Sequence, residues 1–169
     1  MEVFLNRYGL IAIRLDNTLT LDEISQKLGF DIDMGDKLSL VDALQADENR
    51  IGFYNDNLLL CLDSIFPLFE KKSNEDITKL LMIFNKETIG AVYYYSVPDL
   101  FGFAYFINGN RIRTKYGEHN KIWVDFGEKL TVEKETQSED DINNWIVEQV
   151  TGEKLTNLAG KEIIMIKIK

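Results

Sequence analysis

The chain has 169 residues, 45% of them hydrophobic and 28% charged, with a formal net charge of −9 and an isoelectric point near 4.7. Length and composition are typical of one folded domain, so we expect a single domain over residues 1–169 and exclude a disordered chain. The acidity disfavours binding to nucleic-acid phosphates and to anionic membrane surfaces, and it favours basic proteins or cations as partners.

The first third of the chain predicts a strand, a helix and a hairpin. Residues 10–15 alternate loosely, as in a strand. The helix begins after Thr20, which forms a capping box with Glu23, and it ends at Gly29. A weaker helical turn is predicted over residues 39–46. Two strand-like runs, 51–54 and 58–62, flank three turn-forming residues and predict the hairpin.

The middle of the chain predicts one helix and four strands. Ser73 or Asn74 caps the helix, and apolar residues at positions 77, 80, 81 and 84 form its buried stripe. Residues 89–97 are rich in β-branched and aromatic side chains, which favour a strand. Runs 101–107 and 110–116 are joined by Asn108-Gly109, a pair that favours a tight hairpin turn, and residues 121–126 predict one more strand.

The last third predicts a helix and a closing strand. The helix begins after Ser138 and ends at Gly152, and residues 163–168 alternate as a strand does. The loops between successive strands are too short for parallel crossovers. We therefore expect an α+β fold, with a mostly antiparallel, meander-type sheet and about three helices packed on one of its faces.

The lack of targeting signals and the single cysteine predict a cytoplasmic protein. The N-terminal residues lack the basic and apolar regions of a signal peptide. The longest uncharged runs, residues 88–98 and 100–110, are shorter than the about 20 residues that a membrane-spanning helix needs. Because Cys61 is the single cysteine, an internal disulfide is excluded. It lies in an apolar run, which predicts a buried, unreactive thiol.

The sequence lacks the known signatures of catalysis and of metal binding. His119, the single histidine, lies in a polar turn beside Glu118, without the sequence context of a hydrolase nucleophile. Residues 31–42 resemble a calcium loop, but Gly35 stands where a ligand is needed and Asp36 where a glycine is needed. Zinc patterns and phosphate-binding glycine loops do not occur. We expect no catalytic residue, no metal and no cofactor.

Residues 93–126 are both rich in aromatic side chains and locally basic. They hold ten of the 19 aromatic residues of the chain, whereas residues 16–63 carry eleven acidic and three basic residues. Residues 101–108 match only the middle of the RNA-recognition octamer, and together with the net charge this excludes RNA binding. Arg111, Arg113 and Lys115 alternate, which predicts that all three lie on one face of a strand.

Two interpretations of this basic strand stay open. In one, Arg111, Arg113, Lys115, Tyr116 and His119 bind an anionic ligand or a partner protein, because arginine beside aromatic side chains is typical of interface hot spots. In the other, the three cations pair with neighbouring carboxylates and guard a sheet edge.

Three short segments resemble a pattern found in a family of uncharacterised bacterial proteins. They are a glycine–aromatic strand at 97–105, a strand with Gly109 and Arg113, and a D-x-G-x-x-L segment with Asp125, Gly127 and Leu130. The resemblance implies a bacterial, cytoplasmic protein and no particular activity.

Three functions are compatible with these features. The first is a non-enzymatic, acidic protein–protein interaction module that binds a basic protein, comparable to small inhibitor or immunity proteins. The second is a binding protein or enzyme for a small anionic ligand, with a site near Arg111, Arg113 and His119. In that case Asp99 or Asp125 is the acid–base partner. The third is a structural homo-oligomer that pairs through an exposed strand edge.

Overall fold

A computed structural model describes residues 5–70 and 75–169 of the chain. The strands of the described residues are β1 (Arg7–Arg14), β2 (Ile32–Ser39), β3 (Arg50–Tyr54), β4 (Asn57–Cys61), β5 (Thr88–Tyr95), β6 (Leu100–Ile107), β7 (Asn110–Glu118), β8 (Lys121–Phe126) and β9 (Ile164–Ile168). The helices are α1 (Leu21–Leu28), α2 (Leu40–Gln45), α3 (Glu75–Ile83), α4 (Thr131–Glu135), α5 (Glu139–Thr151) and α6 (Leu155–Ala159). A 3-10 helical turn covers Phe66–Leu68.

All nine strands join one antiparallel sheet in the order β2-β9-β3-β4-β1-β5-β6-β7-β8. This confirms the predicted α+β class and the antiparallel sheet. The predicted meander is found only in β5–β8. Elsewhere it is wrong, because β1 lies between β4 and β5, and the C-terminal β9 lies between β2 and β3. These pairings join strands that are distant in sequence, and no short turn in the sequence predicts them.

Helices cover both faces of the sheet, so the prediction of helices on one face is wrong. One buried cluster contains side chains of α2, α4, α5 and α6, and we call this side face A. The other contains side chains of α1, α3 and the 3-10 turn, and we call it face B. The central strands β1 and β4 bury successive apolar residues rather than alternate ones. A strand that is apolar on both sides needs cover on both sides.

The three predicted helices correspond to α1, α3 and α5, and the weaker turn at 39–46 forms α2. The short helices α4 and α6 were not predicted. Thr20 forms the expected capping box with Glu23, and Gly29 and Gly152 end α1 and α5 in the left-handed conformation. The proposed caps of α3, Ser73 and Asn74, lie outside the described residues. No helix among the described residues is both long and apolar enough to cross a membrane.

The acidic stretch after α1, which resembles a calcium loop in sequence, forms the edge strand β2. Its pairing with β9 shifts between Asp33 and Lys37. β9 and the residue that follows it supply cations to this side: Lys169 Nζ lies 3.3 Å from Asp33 Oδ2, and Lys167 Nζ lies 2.8 Å from Glu48 Oε1. The local excess of acidic residues in this part of the sequence is therefore partly neutralised by the C-terminal strand.

Candidate functional site

A register shift in β7 divides the basic strand between the two faces of the sheet. Arg113 lies opposite Tyr105 of β6, but Arg111 lies opposite the next residue, Phe106, so Ile112 is an extra residue between them. Tyr105 belongs to face A and Phe106 to face B. The prediction that the three cations share a face is wrong, because a bulge interrupts the alternation of side chains.

Arg113 is a buried side chain whose hydrogen bonds all go to protein groups. It is 1% exposed, and its Nε and Nη2 donate to the two carboxylate oxygens of Glu133 at 2.8 and 2.7 Å. Its Nη1 donates to Asp125 and to the backbone carbonyls of Phe126, at 2.9 Å, and Gly127, at 3.2 Å. The hydrogen bond with Glu133 contributes most to raising the pKa of Arg113. This arginine therefore fixes α4 and the end of β8 to the sheet.

The engagement of Arg113 also changes the expected roles of its neighbours. Asp125 is an ion-pair partner of Arg113, which compensates its charge. Glu133 reaches back to the backbone N–H of Leu130 at 2.8 Å, so one carboxylate holds both the arginine and the start of α4. For Arg113, pairing with neighbouring carboxylates is the interpretation that the contacts support.

On face A, a cleft of about 380 Å³ lies between the strands β6–β8 and the segment that leads from α4 into α5. Its lining includes Phe101, Phe103 and Ile142, which are all buried, and the polar side chains of Lys115, His119 and Lys129. Lys115 Nζ lies 5.4 Å from the centroid of the Phe101 ring. Apolar groups therefore form part of this cleft, and cations line it as well.

His119 lies at the exposed end of this cleft. Its Nδ1 is 3.9 Å from Oδ2 of Asp99, and both side chains are more than half exposed. The pair is an ion pair only when the imidazole is protonated. Nowhere in residues 5–70 and 75–169 do three or more histidine, cysteine or carboxylate side chains converge as a metal site would require.

On face B, the same end of the sheet carries four aromatic side chains that we call the aromatic patch, namely the half-buried Phe66 and Tyr116 and the exposed Trp123 and Phe126. The ring of Tyr116 lies 5.6 Å from that of Phe66 and 5.0 Å from that of Trp123. Phe126 of β8 lies opposite Thr114 of β7, so its side chain continues the same face of the sheet along β8. Trp123 is 43% exposed and Phe126 45%. The 3-10 turn reaches β7 through the contact of Phe66 with Tyr116, whereas Trp123 and Phe126 of the edge strand β8 stay exposed.

Charged side chains lie around the aromatic patch. Arg111 donates to Thr114 Oγ1 at 3.2 Å, and its guanidinium lies 5.2 Å from the centroid of the Phe106 ring. Burial lowers the pKa of Arg111. Burial, followed by the negative charges of Glu70 and Glu118, raises the pKa of Tyr116. The patch thus has one arginine at one end and carboxylates near Tyr116.

Both edge strands of the sheet are irregular. The register of β8 shifts by one residue at Trp123, and that of β2 shifts between Asp33 and Lys37. Bulges and charged side chains on edge strands hinder pairing with a second sheet. The geometry therefore gives little support to a homo-oligomer that pairs through strand edges.

The predicted site residues fall into three places. Lys115 and His119 lie together in the cleft on face A, Arg113 is enclosed beneath it, and Arg111 and Tyr116 lie on face B. Sequence reasoning missed Lys129 and Phe66. The apolar segment around Phe66 could have been noticed beside Pro67, but its approach to Tyr116 depends on the fold.

Comparison of the chain with protein-family models, curated proteins and solved structures gives no match. The resemblance to a bacterial protein family is therefore wrong. Its residues have a local structural role instead. Gly109 takes φ +74° in the β6–β7 turn, Gly127 accepts a hydrogen bond from Arg113, and Leu130 is buried.

Proposed function

We propose that this protein is a non-enzymatic binding module that docks a basic polypeptide on the aromatic patch of face B. The observation that carries the proposal is the exposure of Trp123 and Phe126 on the edge strand β8. Large aromatic side chains exposed close together on one surface are typical of interaction sites.

The composition of the aromatic patch supports a protein partner. Tryptophan, tyrosine and arginine are the residues enriched in interface hot spots, where most of the binding energy resides. Tyr116 and Trp123 are already in ring contact, and Arg111 holds a defined position beside Thr114. A preorganised surface of this kind loses little conformational entropy when a partner binds.

The charge of the chain supports a basic partner. With a net charge of −9, the protein attracts cationic surfaces over a distance of about 8 Å at physiological salt. Glu70 and Glu118 place negative charge beside Tyr116. A lysine or arginine of the partner can therefore lie against an aromatic ring and near a carboxylate, an arrangement that stabilises a cation by about 1 kcal/mol or more.

The experiment is a comparative capture from the lysate of the source organism. The tagged wild type is compared with the double variant Trp123→Ser/Phe126→Ser and with Ile164→Ser, and captured proteins are quantified by mass spectrometry. Ile164 is the matched control, because it is 60% exposed and lies on β9, near the opposite edge of the sheet. Thermal melting of each variant verifies that it is folded.

We expect the wild type and Ile164→Ser to retain the same basic protein in a stoichiometric amount at low salt, and less of it at moderate salt. The double variant should lose it. The proposal is overturned if no stoichiometric protein is captured at low salt. Equal capture by the double variant, or capture of an acidic protein that is insensitive to salt, would also contradict it.

A further inference from the structure

The cleft on face A has the shape and floor of a small-molecule site. Its volume of about 380 Å³ is in the range of pockets that bind small ligands. Phe101, Phe103 and Ile142 belong to its lining and are each less than 5% exposed, so the small apolar surface that they offer is fixed by the core. The apolar body of a small ligand can touch them at this surface.

Two ammonium groups line this cleft without an ion-pair partner in the described part of the chain. They belong to Lys115 and Lys129, whereas all the ion pairs found in residues 5–70 and 75–169 involve other cations. Both lysines line the same concave surface. They provide the charge that an anion needs.

The lining also holds two carboxylates, those of Glu133 and Glu139. Both oxygens of Glu133 accept hydrogen bonds from Arg113, which also pairs with Asp125, so this guanidinium balances the two carboxylates only in part. Neither lining carboxylate forms an ion pair with Lys115 or Lys129, so both ammonium groups stay available to an anion.

We propose that this cleft binds a small monocarboxylate with an apolar body, the apolar part against Phe101 and Phe103 and the carboxylate between Lys115 and Lys129. A neutral analogue would keep the apolar contacts and lose the attraction to the two lysines. A cationic analogue would be repelled by them. The site is independent of the proposed partner surface, because it lies on the other face of the sheet.

Benzoate is the probe, with benzamide as its neutral and benzylamine as its cationic counterpart. Each is titrated into the labelled protein, and backbone amide shifts are followed by two-dimensional NMR. The test variant is Lys115→Gln/Lys129→Gln. The matched control, Lys86→Gln/Lys154→Gln, removes the same charge at two exposed lysines outside the cleft.

We expect benzoate to shift the amides of Phe101, Lys115 and Ile142, with a dissociation constant on the order of 1 mM. Benzamide and benzylamine should bind the wild type at least about tenfold more weakly than benzoate does. The test variant should bind benzoate at least about tenfold more weakly than the wild type does, whereas the control variant should bind it equally well. The proposal is overturned if benzoate causes no shifts or shifts outside the cleft. Equal affinity for benzamide, or unchanged benzoate affinity in the test variant, overturns it too.

Discussion

Arg113 on β7 and Glu133 on α4 form a side-by-side pair, with Nε 2.8 Å from Oε2 and Nη2 2.7 Å from Oε1. Both side chains are almost completely buried, at 1% and 4% exposed. The pair joins the last strands of the sheet to the helix that forms one wall of the face A cleft. The geometry of that cleft therefore depends on it.

We expect Arg113→Met to lower the free energy of unfolding by about 3 kcal/mol, because it leaves the buried Glu133 carboxylate without its partner. The double variant Arg113→Met/Glu133→Leu should lose less than the sum of the two single variants. Urea unfolding measures all three, and Lys121→Met on the exposed edge should change stability by less than about 0.5 kcal/mol. Additive losses would show that the pair does not act as a unit.

Gly127 is expected to be intolerant of a side chain. It has φ +86°, and a Cβ atom there would overlap the carbonyl oxygen of Ile112. Gly152 at the end of α5 is a matched control, with φ +78° and no atom within 4 Å of such a Cβ. Gly152→Ala should lower the free energy of unfolding by about 1 kcal/mol, because alanine disfavours the left-handed conformation. Gly127→Ala should lower it clearly more, because its Cβ atom also meets the carbonyl oxygen of Ile112. Equal losses in urea unfolding would contradict the close approach to Ile112.

The network around Arg50 predicts a loss of stability in acid. The Arg50 side chain is 2% exposed and pairs with Asp36 at 2.8 Å and Glu48 at 2.6 Å. The hydrogen bond from Arg50 contributes most to lowering the pKa of Asp36, and the one from Lys167 contributes most for Glu48. A carboxylate with a lowered pKa binds protons more readily in the unfolded chain. Its stabilisation is therefore present above its ordinary pKa and disappears as the pH falls through the folded pKa.

We accordingly expect the free energy of unfolding to decrease as the pH falls below about 4.5, the ordinary pKa of a glutamate. The variant Asp36→Asn/Glu48→Gln should be less stable at neutral pH and should show a shallower decrease in acid. Denaturant unfolding at a series of pH values tests this. A slope in the variant that equals that of the wild type would rule out the network as its source.

Cys61 should not react in the folded protein. The thiol is buried in β4, and burial raises its pKa to about 12, so almost no thiolate is present at neutral pH. Ellman's reagent should therefore modify Cys61 only as fast as the chain unfolds, and at once in denaturant. Rapid modification of the native protein would contradict the buried position of this strand.

Local signals predicted the elements that depend on neighbouring residues. Asn108 and Gly109 both have positive φ angles, at 51° and 74°, as the tight β6–β7 hairpin requires. The capping box of Thr20 and Glu23 and the end of α1 at Gly29 also depend on residues a few positions apart. These parts of the fold were predicted correctly from the sequence.

Features that depend on distant residues were not predicted. The insertion of β9 between β2 and β3 joins the C-terminus to the first third of the chain. The partner of Arg113 is twenty residues away, on a five-residue helix that has no periodic pattern of its own. The bulge at Ile112 moves Arg111 to face B, and no residue type marks it. The three cations that were predicted to share one face are therefore divided between the two faces of the sheet.

The most direct test of the aromatic patch is hydrogen–deuterium exchange of the protein, free and bound to the basic protein that it captures. We predict slower exchange in the bound state over residues 114–126 and around Phe66, the segments that carry the aromatic patch. Exchange in β2 and β9 should be unchanged. Protection confined to β2 and β9, or to residues 129–142 on the other wall of the face A cleft, would contradict the assignment of the partner surface.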